Sequence, residues 1–438
     1  MSSSHAFFSV LILTLSGCST IGDNDVEPGS ASPPEAGAAT PNLRRGAGWH
    51  EFRGALRDGV VVGIAEPDKL PGDLWEESWR VNVGLGLSGV IAADGKVFCH
   101  ARRETIEVVS CHSAQTGEVI WSRENPIEIW GQPWWAFGIT DGPLATPSYI
   151  GGRLYTVGIH GLVQCFDAES GRTVFELSAK MLGSTTTEYK YGYASSPLVR
   201  DGVLYVALSA KESGSLVALD AESGEIRWRA LNETVSYTSP VYSRIHGVDQ
   251  LVVRTWQRVV GIDPASGRVL WEHEAVAEGM RRDCATPLVV GDVIYLSSEF
   301  HGTIAVRVSR LDDGTWTVDR LFRTGALAAS TMSPVYAHGH LFGLHKKRRF
   351  VCVDAMTGKQ KWSARDFGYY LSVISFGDRA WALDNEGRLV WMELSPDEHR
   401  VLASWQVGEY TWAHVGIDEN AIYFRDAEDL VCLRLYRG

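Results

Sequence analysis

The chain has 438 residues, 45% of them hydrophobic, and its 53 Asp and Glu outnumber 41 Lys and Arg for a formal net charge of −12. That length and apolar content allow a sizeable core. The acidic balance disfavours bulk nucleic-acid binding, so no nucleic-acid partner is expected.

Phe7 to Leu15 is a short apolar run, too short to span a bilayer. It predicts a secretory signal over residues 1–17. The run closes on Leu15-Ser16-Gly17-Cys18, which resembles a bacterial lipobox; cleavage would fall before Cys18, and Cys18 would carry the lipid. Ser19 is not the Asp associated with inner-membrane retention, so an outer-membrane anchor is expected. Residues 18–47 are rich in Pro, Ala, Gly and Ser and read as a flexible tether. No later segment is apolar enough to span a bilayer. The expected location is exported and periplasmic, with the membrane reached through the lipid anchor. Residues 48–73 form a lead-in segment containing Gly48-Trp49-His50-Glu51-Phe52-Arg53-Gly54 and Asp58-Gly59.

From residue 74 onward the chain repeats itself. Ala114-Gln115-Thr116-Gly117 runs to Trp121, Asp167 to Gly171 leads to Phe175, and Asp220 to Gly224 leads to Trp228. Asp263 to Gly267 then leads to Trp271, and Asp354 to Gly358 to Trp362. A recurrence of roughly 40–50 residues signals a repeat fold such as a propeller. Upstream of these phrases lie Thr146-Pro147, Ser196-Pro197, Thr286-Pro287 and Ser333-Pro334, each followed by a Gly or Asp turn and an alternating apolar run. Such runs predict β-hairpins. Pro suits the first residue of a strand, where its missing N–H matters least. Each repeat therefore predicts four antiparallel strands. Hairpin turns near Gly95, Gly151, Gly202, Gly247, Gly291, Gly339, Asp378 and Glu419 mark eight repeats.

Two repeats depart from the pattern and one stops short. The fifth keeps Asp312-Asp313-Gly314 but has a longer following strand, and the seventh runs through Ser395-Pro396-Asp397 to Trp405. The eighth, Tyr410 to Tyr436, ends after three strands. The segment from Leu74 to Val81, with Trp79, reads as an outer strand without inner partners. The fold expected is an all-β, eight-bladed propeller whose N-terminal strand closes the last blade. Trp79, Trp121, Phe175, Trp228, Trp271, Trp362 and Trp405 then read as packing between neighbouring sheets rather than ligand contacts. Cys111, Cys165 and Cys352 each lie six residues before a repeat Gly, where Ala218 and Gly261 stand in other repeats. This slot wants a small side chain, and structural thiols are expected there.

Val217-Ala218-Leu219-Asp220-Ala221-Glu222-Ser223-Gly224-Glu225-Ile226-Arg227-Trp228 resembles the repeat of the pyrroloquinoline-quinone-type β-propeller family. The likeness covers about residues 74–438, and Gly48 to Gly54 resembles a segment that precedes such propellers. The resemblance implies one of two roles. Quinoprotein dehydrogenases hold the quinone over a disulfide between adjacent cysteines and bind Ca²⁺ through Glu, Asn and Asp. Other members are non-enzymatic scaffold lipoproteins. This sequence contains no adjacent cysteines and no C-x-x-C-H haem site. The expectation is a non-enzymatic, monomeric envelope scaffold without catalytic residues, metal or cofactor, possessing protein or extended-peptide partners. A pyrroloquinoline-quinone dehydrogenase with Ca²⁺ is the alternative, and a small-ligand sensor is the third reading.

The residues ahead of each x-Pro should ring a central funnel. They are largely aromatic: Trp130, Trp134 and Trp135, then Tyr189, Tyr191 and Tyr193, then Tyr237, Tyr369, Tyr370, Tyr410 and Trp412. Arg281 and Arg282 join them, with Arg254, Arg258, Lys346, Lys347, Arg348 and Arg349 in or near the turns between second and third strands. Tyr, Trp and Arg are enriched at binding hot spots, so this face is the expected partner- or ligand-binding face.

Overall fold

Each repeat folds as a four-stranded antiparallel sheet in the computed structural model, which describes residues 48–64, 66, 75–127, 142–184, 191–208, 214–274, 284–329 and 331–435. The blades span residues 91–126, 148–177, 198–230, 241–274, 288–324, 335–364, 371–406 and 416–435. No helix occurs among the described residues. The eight-bladed all-β propeller expected from the repeats is the fold observed. Blade five has four complete strands despite its degenerate phrase, because its two outer strands, Gly302–Arg310 and Trp316–Thr324, pair along their whole length. Trp75–Asn82 pairs with Asp429–Leu435 and supplies the outer strand of blade eight, so an N-terminal strand closes the ring.

The seams between blades explain the repeated phrase. Trp121 donates its indole N–H to the Ala168 carbonyl of the next blade at 2.9 Å, and Trp228 donates to that of Pro264 at 3.0 Å. Trp79 and Trp362 make the same bond to Ala114 and Ser395. The Trp79, Trp121 and Trp228 rings also lie on the repeat Gly of the following blade, as Phe175 does. A Cβ at Gly171 would stand 2.5 Å from the Trp121 ring, and one at Gly224 would stand 2.8 Å from Phe175. Gly is needed there for the ring as well as for its positive φ.

The small-residue slot lies opposite the ring, beside a β-bulge. Trp121 faces Cys111, Phe175 faces Cys165, Trp228 faces Ala218 and Trp362 faces Cys352. Two further pairs occupy the slot: Cys432 faces Trp79, and Ala305 faces Phe322 in blade five. Blade seven swaps the arrangement. Trp391 on the third strand faces Ala403 on the outer strand, while Trp405 lies farther along, opposite Leu389. Trp271 instead donates to Gln250 Oε1 within its own blade at 2.6 Å and packs in a cluster with Ile294 and Val306 of blade five. Burial pushes the thiols of Cys111, Cys165, Cys352 and Cys432 up to about 12.

The lead-in segment fills the channel along the propeller axis. Gly48–Trp49 pairs antiparallel with the first strand of blade one, adding a fifth, innermost strand. Val60 lies parallel to the first strand of blade seven at Ser375. The chain thus climbs the channel, turns over residues 51–58 and descends. Arg53 and Arg57 sit in this turn, 3% and 1% exposed. Arg53 donates to the carbonyls of Ser333 at 2.7 Å and Pro334 at 2.8 Å. Arg57 donates to those of Ser196 at 3.1 Å, Pro240 at 2.9 Å and Pro197. Buried Glu51 balances the charge, 3.2 Å from Arg57 and 2.9 Å from Arg200 of blade three.

Removing one partner of a buried ion pair leaves an uncompensated charge and orphaned acceptors. Arg57→Met is expected to destabilise the propeller by about 3–5 kcal/mol in a urea titration. Arg57→Lys should recover only part of this loss, because one ammonium cannot reproduce the fork that reaches three carbonyls.

Candidate partner-binding site

The first strand of each blade starts on the face that carries the turns between second and third strands, and there the channel opens into a cup of about 300 Å³. Phe52, carried up by the lead-in turn, contributes to the cup from the channel side. The walls are Tyr191, Ala194, Ser196, Tyr237 and Ser239, then Cys284, Thr286, Glu299 and Thr331, then Tyr370, Trp412 and His414, with Leu87, Leu144 and Thr146 completing the ring.

Local structure explains this order. The hydroxyls ahead of Pro147, Pro197, Pro240 and Pro287 are turned to the neighbouring blade: Thr146 Oγ1 accepts from Gly89 N–H at 3.1 Å, Ser196 Oγ from Thr146 N–H at 3.0 Å, Ser239 Oγ from Ser196 N–H at 2.9 Å, and Thr286 Oγ1 from Ser239 N–H at 3.1 Å. This chain of bonds links blades one to five and holds the linkers that precede the first strands. The linkers present the rings. Tyr370 and Trp412 stack, with centroids 5.7 Å apart and planes 12° apart, and Tyr191 meets Tyr237 edge-on at 5.7 Å. His414 stands against Phe52 at 4.8 Å and Tyr370 at 5.9 Å.

Tyr191, Tyr237, Tyr370 and Trp412 therefore come together. Tyr193 does not join them: it is buried in the core around blades two and three, with its hydroxyl 2.7 Å from Ser184 Oγ. Tyr369 and Tyr410 stand exposed beside the cup residues Tyr370 and Trp412. Lys346, Lys347 and Arg348 form an exposed turn on the same face. Arg348 lies 4.5 Å over the Tyr369 ring, and the Lys346 ammonium lies 6.0 Å over Phe300. Arg349 turns away along its blade to Ser363 Oγ at 2.8 Å. Arg254 is fully buried and donates to the Ser297 carbonyl, so it is structural. Arg258 pairs with Glu233 at 2.7 Å. Cys18, Trp130, Trp134, Trp135, Tyr189, Arg281 and Arg282 lie outside the described residues. Sequence reasoning missed Phe52, Glu299 and His414; the Gly48 to Gly54 segment was the one signal pointing to the first of them.

The chemistry of the cup is that of an apolar, aromatic receptor. Among the described residues, no group of three or more His, Cys, Asp or Glu side chains is placed to hold a metal ion. Among the described lining residues Glu299 is the one carboxylate. A quinone site with Ca²⁺ needs several clustered oxygen ligands, and the described lining residues bring a single carboxylate.

The family model described as outer membrane protein assembly factor BamB matches residues 105–364, more than half of the chain. The chain belongs to this family. The BamB of Moranella endobia is 20% identical over 73% of this chain and 80% of its own length, and that of Bordetella pertussis is 23% identical over 65% and 72%. Among solved structures, BamB from Moraxella catarrhalis superposes with a TM-score of 0.58 at 14% identity, covering 82% of this chain and all of that one. Quinohemoprotein alcohol dehydrogenase from Comamonas testosteroni superposes with a TM-score of 0.60 at 12% identity, covering 90% and 81%. At such identities these likenesses show the fold alone.

Burial holds the His414 imidazole down to about 3, with the positive charge of Arg53 adding to the shift. Burial likewise lowers His345 to about 4, helped by Lys346 and Lys347. The unfolded chain binds these protons near pH 6.5, so it carries more protons than the folded chain between the two values. Stability is therefore full above about pH 6.5 and falls as the pH drops towards 4. The His414→Phe variant should flatten this fall in urea titrations at pH 7, 5.5 and 4.5.

Proposed function

We propose that this protein is a lipid-anchored, non-enzymatic scaffold of the bacterial envelope that docks a partner protein on its funnel face during outer-membrane protein assembly. The observation that carries the reading is the occupied channel: the chain's own residues 48–60 occupy the axis, leaving a shallow aromatic cup and an exposed aromatic and basic rim. Loops held by a rigid scaffold are the usual place for recognition. Leu15-Ser16-Gly17-Cys18 supports lipidation at Cys18, and Ser19 supports the outer membrane as its destination. Membership of the BamB family supports the assembly role. In this reading the protein works as a monomer, because its partner face belongs to one ring of blades.

Deleting the gene in its host should lower the amount of folded outer-membrane β-barrel proteins. Wild type should restore them, and a folded variant carrying Tyr191→Ala, Tyr410→Ala and Trp412→Ala should not. Normal β-barrel levels in the deletion strain would overturn the assembly role. Tight, Ca²⁺-dependent quenching of tryptophan fluorescence by pyrroloquinoline quinone would overturn the non-enzymatic reading.

A further inference from the structure

The cup and the basic turn beside it form a composite site with an asymmetric charge distribution. Lys346, Lys347 and Arg348 project from a chain of net charge −12. The turn is held against Phe300 and Tyr369, the chain neighbours of the wall residues Glu299 and Tyr370. Lys346 and Arg348 therefore lie against residues adjoining the cup wall. Glu386 pairs with Arg348 at 3.0 Å, an exposed contact of small worth. Among the described residues no carboxylate is paired with Lys346 or Lys347 within salt-bridge distance.

The cup itself disfavours anions. Glu299 stands in its wall, and the rings of Phe52, Tyr191, Tyr237, Tyr370 and Trp412 offer apolar surface. A volume of about 300 Å³ admits one large side chain. Aromatic guests gain most from such walls, through area and ring-edge contacts.

We propose that the funnel takes a single aromatic side chain of a partner protein, presented on a segment whose next residues are acidic. The ring enters the cup and the adjoining carboxylates meet Lys346 and Lys347. This inference rests on the funnel being the docking face and specifies the chemistry of what docks there. It excludes a basic segment, which the turn repels, and an acidic segment without an aromatic, which leaves the cup unfilled.

The test uses the full-length protein in detergent and three capped tripeptides measured by calorimetry: N-acetyl-Trp-Glu-Glu amide, N-acetyl-Trp-Lys-Lys amide and N-acetyl-Ala-Glu-Glu amide. The first should bind at least about tenfold more tightly than the other two at low salt. Combined Lys346→Glu and Lys347→Glu should weaken it by about tenfold, and raised salt should do the same to wild type. Thr331→Trp, which fills the cup from a half-exposed position, should abolish binding without lowering the melting temperature. Absent binding of the acidic tryptophan peptide, equal binding of either control, or indifference to these variants would each overturn the proposal. Should the peptides fail while the funnel variant still fails to restore β-barrel proteins in cells, the docking reading stands and only the ligand chemistry falls.

Discussion

Eight first strands converge on the propeller axis with their inner backbone edges turned towards one another, and no further strand of the ring can satisfy those edges. Several of these strands begin at a Ser-Pro or Thr-Pro pair, and Pro brings a carbonyl without an N–H. The axis is therefore rich in acceptors. Guanidinium groups meet that need, since each carries five donors and no acceptor. Arg53 and Arg57 sit in a tight turn where they reach carbonyls of blades three, four and six, while Glu51 ties Arg57 to Arg200. The same turn brings Phe52 into the cup. One buried polar cluster thus joins the blades at their centre and shapes the binding face.

Farther from the axis the ring depends on a different contact. The blade aromatics bury large surfaces between sheets, and Trp79, Trp121, Trp228 and Trp362 give their N–H groups to the next blade's turn. The two devices divide the work. Indoles join neighbours pairwise around the outside, and the lead-in segment connects distant blades through the middle. Ring closure by Trp75–Asn82 places the lead-in segment and the closing strand in one stretch of chain, so the plug and the seal are adjacent in sequence.

The binding face follows from this frame. Linkers ahead of the first strands of blades two to five are fixed by a chain of hydroxyl bonds from Thr146 to Thr286, and Tyr191 and Tyr237, mounted on two of these linkers, meet edge-on. Preorganised rings lose little entropy when they receive a guest. Because the plug fills the channel below, whatever the cup takes is held at the surface, in reach of the charged rim.

Much of this architecture was legible in the chain because its signals are local. A Gly and an aromatic four residues apart, a Pro at a strand start and an alternating apolar run each report one hairpin, and their recurrence counts the blades. The missing strand at one end and the surplus strand at the other reveal how the ring closes. The rest depended on contacts between residues far apart. Arg53 meets the Ser333 carbonyl across 280 positions, and the direction of a backbone carbonyl leaves no mark on side-chain pattern. Cys432 lies outside the five clear copies of the repeat phrase, and its pairing with Trp79 across the closure places it in the slot. Tyr191 and Tyr193 look alike in a linker, yet one faces the cup and the other the core. The sequence by itself determined the repeat, the blade count and the closing strand, since hairpins are set by neighbours along the chain. Only the tertiary structure decided that the lead-in segment plugs the axis and which rings form the cup, since both are set by atoms that meet after the blades have closed.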